Sequence, residues 1–301
     1  MESFAYIDAA GNVCENGILS PVPWWSYSKT VLAIAALRLC DRGLLALNES
    51  VNGQPFTLMH LLRHEAGLPD YGAIARYHED VAAGKMPWPV ERLLAAVDVN
   101  RLRFEPGKGW AYSNIGYLKV RELIEQASGI TLAEALEQYV FTPAGVTTAR
   151  LASVPADLSN VQMGEVRNYH PGWVYHGLVT GTAVDAARLL RALLSGSLLS
   201  SETFATMLEG HPLPEYRNAI DTKPAYGLGL MQSAESPLDH PLGHRGAGPG
   251  STIAVYAKGL RTCAVWAAAL PNPDIVIERA FKRLANNNLS ASEQISSAKE
   301  V

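Results

Sequence analysis

Residues 23–40 read Pro23-Trp24-Trp25-Ser26-Tyr27-Ser28-Lys29-Thr30-Val31-Leu32-Ala33-Ile34-Ala35-Ala36-Leu37-Arg38-Leu39-Cys40, and the rest of the chain is organised around them. Across 30–39 nearly every position is apolar, on all faces of a helix. Such a helix cannot lie on a surface and belongs in the middle of a domain. A buried helix that begins with a lysine needs a use for that lysine. Ser26 and Lys29 are three residues apart, so they share a helical face one turn from each other. At the N-terminal end, free backbone N–H groups and the positive end of the helix dipole favour a developing negative charge. A hydroxyl beside an amine in that place suits a nucleophilic serine with an amine base.

The chain has 301 residues, 48% of them hydrophobic, enough for a sizeable core in one large or two intimate domains. Its net charge is −4 with both signs interspersed, which argues against a nucleic-acid partner and an anionic membrane surface. No run of about 18 apolar residues exists, so no membrane span is expected. Cys14, Cys40 and Cys263 form no Cys-x-x-Cys pair and read as buried free thiols. A Cys14–Cys263 contact would arise only if the two ends of the chain pair in one sheet. The first residues carry no basic segment followed by a long apolar one, so no signal peptide is expected. As written the chain reads as cytoplasmic, or as periplasmic or secreted with a leader removed. No motif calls for a cofactor; the expected partner is a small-molecule substrate, and oligomeric state is not legible.

In chain order, residues 4–7 and 13–19 read as a β-hairpin turning at Gly11-Asn12. Pro21 and Pro23 then end the strand region, and Gly43 is a left-handed cap for the central helix. Thr57 caps a helix over 58–63. Further helices are expected over 89–97, 118–127 and 132–140, the last capped by Thr131. Residues 142–181 read as loops with short strands. Thr182 and Asp185 suggest a capping box for a helix ending near Gly196, followed by a short helix over 200–208. Strands are expected over 226–232 and 243–246, then a hairpin of 252–256 and 262–270. A helix starting near Asn272 or Asp274 puts Ile277, Ala280, Phe281 and Leu284 on one stripe, suited to packing on a sheet. The polar stretch 286–301 reads as a frayed tail.

This layout predicts an α/β protein of the α+β type, with an antiparallel sheet from both chain ends, flanked by helices, and a mainly helical region inserted. Residues 1–285 would form one catalytic domain, its α/β part from about 1–56 and 223–285 and its helical part from about 57–222. The cleft would lie between them, where Ser26 begins its helix.

A Ser-x-x-Lys pattern alone is weak, and Ser296-Ser-Ala-Lys299 matches it in the polar tail. Two further elements make Ser26 informative: Tyr112-Ser113-Asn114 in a turn before a helix, and His244-Arg245-Gly246 in a C-terminal strand. Together the three motifs resemble the serine β-lactamase and penicillin-binding-protein superfamily. The likeness is to the class C-like branch, which includes class C β-lactamases, D-amino-acid-specific peptidases and family VIII esterases. Residues 61–71, Phe104-Glu-Pro-Gly107, Tyr226-Gly-Leu-Gly229 and 243–250 agree with it.

The resemblance implies a β-lactamase/transpeptidase-like fold and a serine hydrolase that acts through an acyl-enzyme on an ester, a D-amino-acid peptide or a β-lactam. It implies that Ser26 attacks the acyl carbon, that Lys29 accepts the serine proton, and that Tyr112 shuttles a proton if nearby cations lower its pKa. Asn114 would bond Lys29 and a substrate amide. Ser26 and Ala247 backbone N–H groups would form the oxyanion hole, with Gly246 allowing close approach. His244 and Arg245 stand where class C β-lactamases carry lysine and threonine, which weakens attraction for a β-lactam carboxylate. Neighbouring strand residues face opposite ways, so one of the two faces the cleft; His244 is the choice, with Arg245 at the rim.

Plainer readings stand beside these. Tyr112 alone reads as a buried phenol, Asn114 as an Asx-turn, and His244 as a structural imidazole. His170, Trp173, Tyr175 and His176 lie in a loop that lines the cleft or merely packs. His60 and His64, four apart on a helix, suit a zinc pair, but no third ligand stands at a useful spacing. The alternative from another class is a catalytically silent binding or scaffold protein that kept the fold.

Overall fold

Strand β1 (Glu2–Ile7) turns at Gly11, whose φ of +97° suits glycine, into β2 (Val13–Gly17). The computed structural model describes residues 1–268, 270 and 272–285. The stretch 286–301, with its expected frayed tail and the Ser296 decoy, lies outside the described residues.

Residues Val22–Pro23 form a short strand, β3, rather than simply ending the hairpin region. Proline is tolerated there because β3 pairs on one side only, with a strand described below. A tight turn, Trp25–Tyr27, carries Ser26 and leads into α1 (Ser28–Asp41). This helix is buried from Ser28 through Leu37, as an all-round apolar sequence requires. Gly43, at φ +70°, lets the chain leave it by bonding its N–H to the Cys40 carbonyl.

The inserted region contains α2 (Leu58–Arg63), α3 (Ala75–Ala82), α4 (Val90–Ala96), α5 (Asn114–Ser128), α6 (Leu132–Leu136) and the single turn α7 (Thr142–Ala144). A wide turn over Glu137–Phe141 joins the last two. Helix α3 stands where no helix was expected, and α5 begins at Asn114, four residues ahead of expectation, because Ser113 caps it by accepting the Gly116 N–H.

Strands β4 (Arg150–Ala152) and β5 (Leu178–Gly181) join β3 in a small second sheet, order β3-β5-β4. Then come α8 (Ala183–Leu194) and α9 (Ser201–Met207). Thr182 caps α8 as expected, but Asp185 does not reciprocate. Its carboxylate accepts from the Thr147 and Thr148 N–H groups at 3.0 and 2.8 Å instead.

The C-terminal strands are β6 (His211–Pro212), β7 (Pro224–Tyr226), β8 (Met231–Ser233), β9 (Leu242–Gly248), β10 (Ser251–Lys258) and β11 (Arg261–Ala268), followed by α10 (Ile275–Ala285). The expected strand over 226–232 is thus two strands around a tight glycine loop. With β1 and β2 they make an eight-stranded antiparallel sheet, order β2-β1-β11-β10-β9-β8-β7-β6. Both chain ends meet in it, as expected, but its last strand starts at His211 and α8 also packs on β1, β10 and β11. The expected division at residue 223 therefore cuts through sheet-associated structure.

Each face of the sheet buries alternate residues. One face, with Ala5, Ile7, Ile253, Val255, Ala264 and Trp266, continues into the core around α1 and α8. The other, with Phe4, Tyr6, Val265 and Ala267, is covered by the Val276, Ala280 and Leu284 stripe of α10. Cys14 and Cys263 both lie opposite Tyr6, in strands on either side of β1. That intervening strand keeps them from bonding, and all three cysteines are free thiols.

Candidate active site

The start of α1 is held by the backbone around it. The Trp24 N–H donates to the Val179 carbonyl at 2.9 Å, and the Val179 N–H donates to Ser28 Oγ at 3.0 Å. Trp25 adopts φ +43°, an unusual conformation for a bulky residue, and its indole N–H donates to Ser251 Oγ at 3.1 Å. The turn thereby presents Ser26 just ahead of the helix.

Lys29 is completely buried. Its amine donates to Asn114 Oδ1 at 2.7 Å, lies 3.4 Å from Ser26 Oγ and 3.3 Å from His176 Nε2. It also sits 4.9 Å from the centre of the Tyr112 ring and 5.6 Å from that of Tyr117. Burial lowers its pKa to about 7, partly opposed by the negative charge of Asp70. At neutral pH a sizeable fraction of the amine is therefore unprotonated.

Asn114 occupies the first turn of α5, where Asp70 anchors it. One Asp70 oxygen accepts the Asn114 backbone N–H at 2.7 Å, and the other the Asn114 side-chain amide at 3.4 Å. A carboxylate there also suits the helix N-terminus. Tyr112 is half-buried and hydrogen-bonded to the Ser26 hydroxyl. Burial pushes its phenol well above the ordinary tyrosine value, and the bond to Ser26 and the charge of Arg245 only partly oppose this. The expected lowering by cations is limited to Arg245, and burial outweighs it. The Tyr112 phenol is accordingly a protonated donor.

Strand β9 supplies the opposite wall. His244, Gly246 and Gly248 point toward Ser26, while Arg245 and Ala247 point to the exposed side. A Cβ on Gly246 would stand 2.6 Å from the Trp24 carbonyl and 2.7 Å from Ser26 N. The strand backbone, and with it Ala247, thus lies directly beside the Ser26 amide. His244 is buried, with Nε2 2.9 Å from the Tyr226 hydroxyl and Nδ1 against the Arg245 carbonyl. Burial pushes its pKa down to about 3, so it is neutral, with both ring nitrogens engaged. The Arg245 guanidinium is ion-paired with Asp274.

A cavity of about 680 Å³ opens from Ser26 and Tyr112 along β9 toward α10. Its walls are largely aromatic and aliphatic, including Trp110, Tyr216, Tyr226, Met231, Tyr256 and Phe281, with Arg245, Asp274 and Asp221 among its polar lining.

All eight site residues expected from sequence converge on this region: Ser26, Lys29, Tyr112, Asn114, His244, Arg245, Gly246 and Ala247. Four neighbours did not stand out. Asp70 lies in the stretch 61–71, where the sequence gives it no role, His176 in the loop read as lining the cleft or merely packing, with no role of its own, and Tyr226 within an expected strand. His64 was weighed only as a zinc ligand. Its ring is instead packed, tilted or edge-on, among Tyr112, Tyr117, Tyr226 and Trp110, and its Nδ1 accepts the Ser113 N–H at 3.2 Å. His60 Nδ1 is occupied by the Thr57 N–H, closing the cap of α2. Among the described residues no three His, Cys, Asp or Glu side chains are grouped to hold a metal.

An antiparallel sheet flanked by helices, with serine and lysine at the start of the buried central helix, defines a protein of the β-lactamase/transpeptidase fold. Residues 20–287 match the Beta-lactamase family, and the chain belongs to that family. Solved structures agree in fold. A D-stereospecific amidohydrolase from Streptomyces sp. superposes with TM-score 0.75 at 22% identity, covering 93% of each chain. The D-amino acid amidase of Ochrobactrum anthropi SV3 gives 0.73 at 18%, covering 99% of this chain and 95% of that one. Among curated relatives, penicillin-binding protein 4* of Bacillus subtilis (strain 168) is 30% identical over 157 residues, 50% of this chain and 34% of that protein. Lovastatin esterase of Penicillium rubens is 24% identical over 278 residues, 70% of this chain and 69% of that protein. The D-aminopeptidase of Gluconobacter oxydans is 30% identical over 187 residues, 58% of this chain and 34% of that enzyme. The chain thus spans about a third of the length of two of these relatives. Among the described residues no helix is long and apolar enough to cross a membrane.

Proposed function

We propose that the protein is a serine hydrolase that works through an acyl-enzyme on Ser26. The observation that carries this reading is a buried lysine whose amine, with a pKa near 7, lies 3.4 Å from the Ser26 hydroxyl. A neutral amine there has a lone pair for the serine proton, and few structural roles require a lysine without water around it.

The steps follow from the groups present. Lys29 takes the proton as Ser26 Oγ bonds to the carbonyl carbon. The oxygen that becomes negative is met by the Ser26 N–H at the helix start and the Ala247 N–H of β9. As the C–O or C–N bond breaks, the Tyr112 phenol gives its proton to the leaving group, which leaves a phenolate beside the Lys29 ammonium. Water gives a proton to that phenolate as it attacks the acyl carbon, and Ser26 leaves with the proton held on Lys29. Asn114 keeps the Lys29 amine in place throughout.

The substrate reading is an ester or amide of a neutral acyl group. Aromatic walls suit an apolar group, and Arg245 is already neutralised by Asp274, which disfavours reliance on a substrate carboxylate such as that of a β-lactam. The names of the relatives, an esterase and D-aminopeptidases, fit this range. The test is mass spectrometry after exposure to a fluorophosphonate, an activated short-chain ester and a penicillin, with turnover of the ester measured alongside. The expected result is an adduct on Ser26 and ester hydrolysis lost in Ser26→Ala. Absence of any Ser26 adduct would leave the silent-scaffold alternative standing.

A further inference from the structure

Three polar atoms surround the Lys29 amine: Ser26 Oγ, Asn114 Oδ1 and His176 Nε2. The first two have tasks in the reaction above. His176 has none, yet it is buried, and its Nδ1 has no hydrogen-bond partner among the described residues. An imidazole left half-satisfied in the interior costs free energy that apolar packing would not, so its place against the lysine calls for a reason.

We infer that His176 is a positioning residue: its Nε2 accepts one N–H of the Lys29 amine and, with Asn114 Oδ1, turns the amine's lone pair onto the Ser26 hydroxyl.

The geometry works by exclusion. A neutral amine has two N–H bonds and one lone pair. If Asn114 Oδ1 and His176 Nε2 each accept one N–H, the remaining direction faces Ser26, and the lone pair must point there. Without the second acceptor the amine can rotate about its terminal bond and offer Ser26 an N–H instead. This assigns the proton of His176 to Nδ1. The other tautomer would place an N–H on Nε2 and draw the lone pair away from the serine.

Several contacts fix the segment that carries the ring. Val179, in the strand that follows, is bonded to both Trp24 and Ser28 at the start of α1. Arg121 of α5 donates to the Tyr175 carbonyl at 3.4 Å. Gly177, at φ +104°, turns the chain with its N–H on the Val174 carbonyl, and a Cβ there would come within 2.9 Å of Leu151. The small second sheet therefore presents His176 to Lys29.

The charges around the amine leave His176 free to act as a neutral acceptor. Asp70 lies behind Asn114, and Arg121 is on the outer side of α5. Tyr112 and Tyr117 offer ring faces. His64 from the end of α2 and His244 from β9 are both neutral, as is His176, because burial and the nearby Lys29 disfavour an imidazolium.

This inference rests on the serine-hydrolase reading, and the experiment separates the two. Wild type, His176→Leu, His176→Phe and His176→Gln are assayed for turnover of an activated ester from acid to alkaline pH, with fluorophosphonate labelling of Ser26 and thermal unfolding of each. In His176→Leu kcat falls about 10- to 100-fold, the size of one lost hydrogen bond to a charged group, while KM changes little. The acid limb of kcat/KM moves to lower pH, because the ammonium form loses an acceptor. His176→Gln, whose Oε1 accepts, restores both the rate and the limb. His176→Phe keeps a ring without an acceptor and behaves as His176→Leu does, which covers the case in which leucine disturbs the packing. A limb that moves to higher pH would overturn the inference, as would glutamine no better than phenylalanine in proteins of equal unfolding temperature. Wild type with neither turnover nor a Ser26 adduct sinks the hydrolase reading itself.

Discussion

Replacing Gly246 with alanine adds one methyl group where the structure has no room. The new carbon would stand 2.6 Å from the Trp24 carbonyl oxygen, 2.7 Å from Ser26 N and 2.8 Å from Trp25 Cβ. Optimal separations for such pairs are about 3.5 Å or more, so each contact is roughly 1 Å too short. The first two partners are backbone atoms at the head of α1, in a segment tied to β5 through the Trp24 N–H and Ser28 Oγ, and cannot swing aside. The strand must therefore retreat from Ser26, carrying the Ala247 N–H with it.

The cost splits into two parts. Overpacking of a rigid site destabilises by about 1–3 kcal/mol. Removing one donor from the developing oxyanion costs about 10²- to 10³-fold in kcat. The assay is ester turnover and the rate of fluorophosphonate labelling in Gly246→Ala, with thermal unfolding to show that the protein is folded. Gly248→Ala is the comparison, since its Cβ would meet the Trp25 ring at 2.4 Å but not Ser26 N. It is expected to lose stability with a smaller loss of rate. A folded Gly246→Ala enzyme within about threefold of wild-type kcat would refute the placement of the oxyanion donors.

Four further outcomes are expected. Ester turnover rises with pH through about 7, where Lys29 loses its proton, and a kcat/KM profile without an inflection near there contradicts Lys29 as the base. Asp70→Asn moves that limb to lower pH, because the Asp70 charge favours the ammonium form of Lys29. An unmoved limb would remove Asp70 from the site's electrostatics. Arg191→Ala loses the guanidinium contacts to the Asp8, Ala9 and Leu260 carbonyls, which tie α8 to two hairpin turns. Denaturant unfolding should show a loss of about 1–2 kcal/mol with kcat unchanged. Burial raises the Asp185 pKa, but hydrogen bonds from Thr148, Thr147 and Arg188 more than offset this and hold it below its ordinary value. The stability from that shift is present above the ordinary carboxylate pKa and is lost as pH falls through the folded value. Wild type should therefore lose more unfolding temperature on acidification than Asp185→Asn.

Much of this was legible because the deciding features are local. A nearly all-apolar decapeptide after Ser-x-x-Lys can only be a buried helix, and Thr57, Thr131 and Thr182 each cap the helix that follows. The pairing of both chain ends followed from hairpin-linked strands that had no crossover helix. What could not be read depends on distant partners. Pro23 looks like a strand terminator until β5 is known to lie on one side of it. His176 has no signal of its own, since its chemistry comes from a lysine far away in sequence. The pKa of Tyr112 turns on how deeply the fold buries its phenol, which no spacing encodes.

The alternation in β9 connects these two kinds of information. Every second residue on the Ser26 side is His244, Gly246 or Gly248, and both glycines touch the backbone or ring of the Trp24-Trp25 segment. Packing against a strained turn leaves no room for side chains at 246 and 248, so variation in chemistry on that face is confined to position 244. There the imidazole is already satisfied by Tyr226 and the Arg245 carbonyl. His244 therefore acts on substrate only after surrendering the Tyr226 hydroxyl. Tyr226→Phe removes that partner while keeping the ring. It should free Nε2 and change KM for substrates that carry a donor near the leaving group, whereas simple activated esters should be unaffected. Equal effects on both substrate types would show that the Tyr226–His244 pair is structural and that recognition lies in the exposed wall of the cavity.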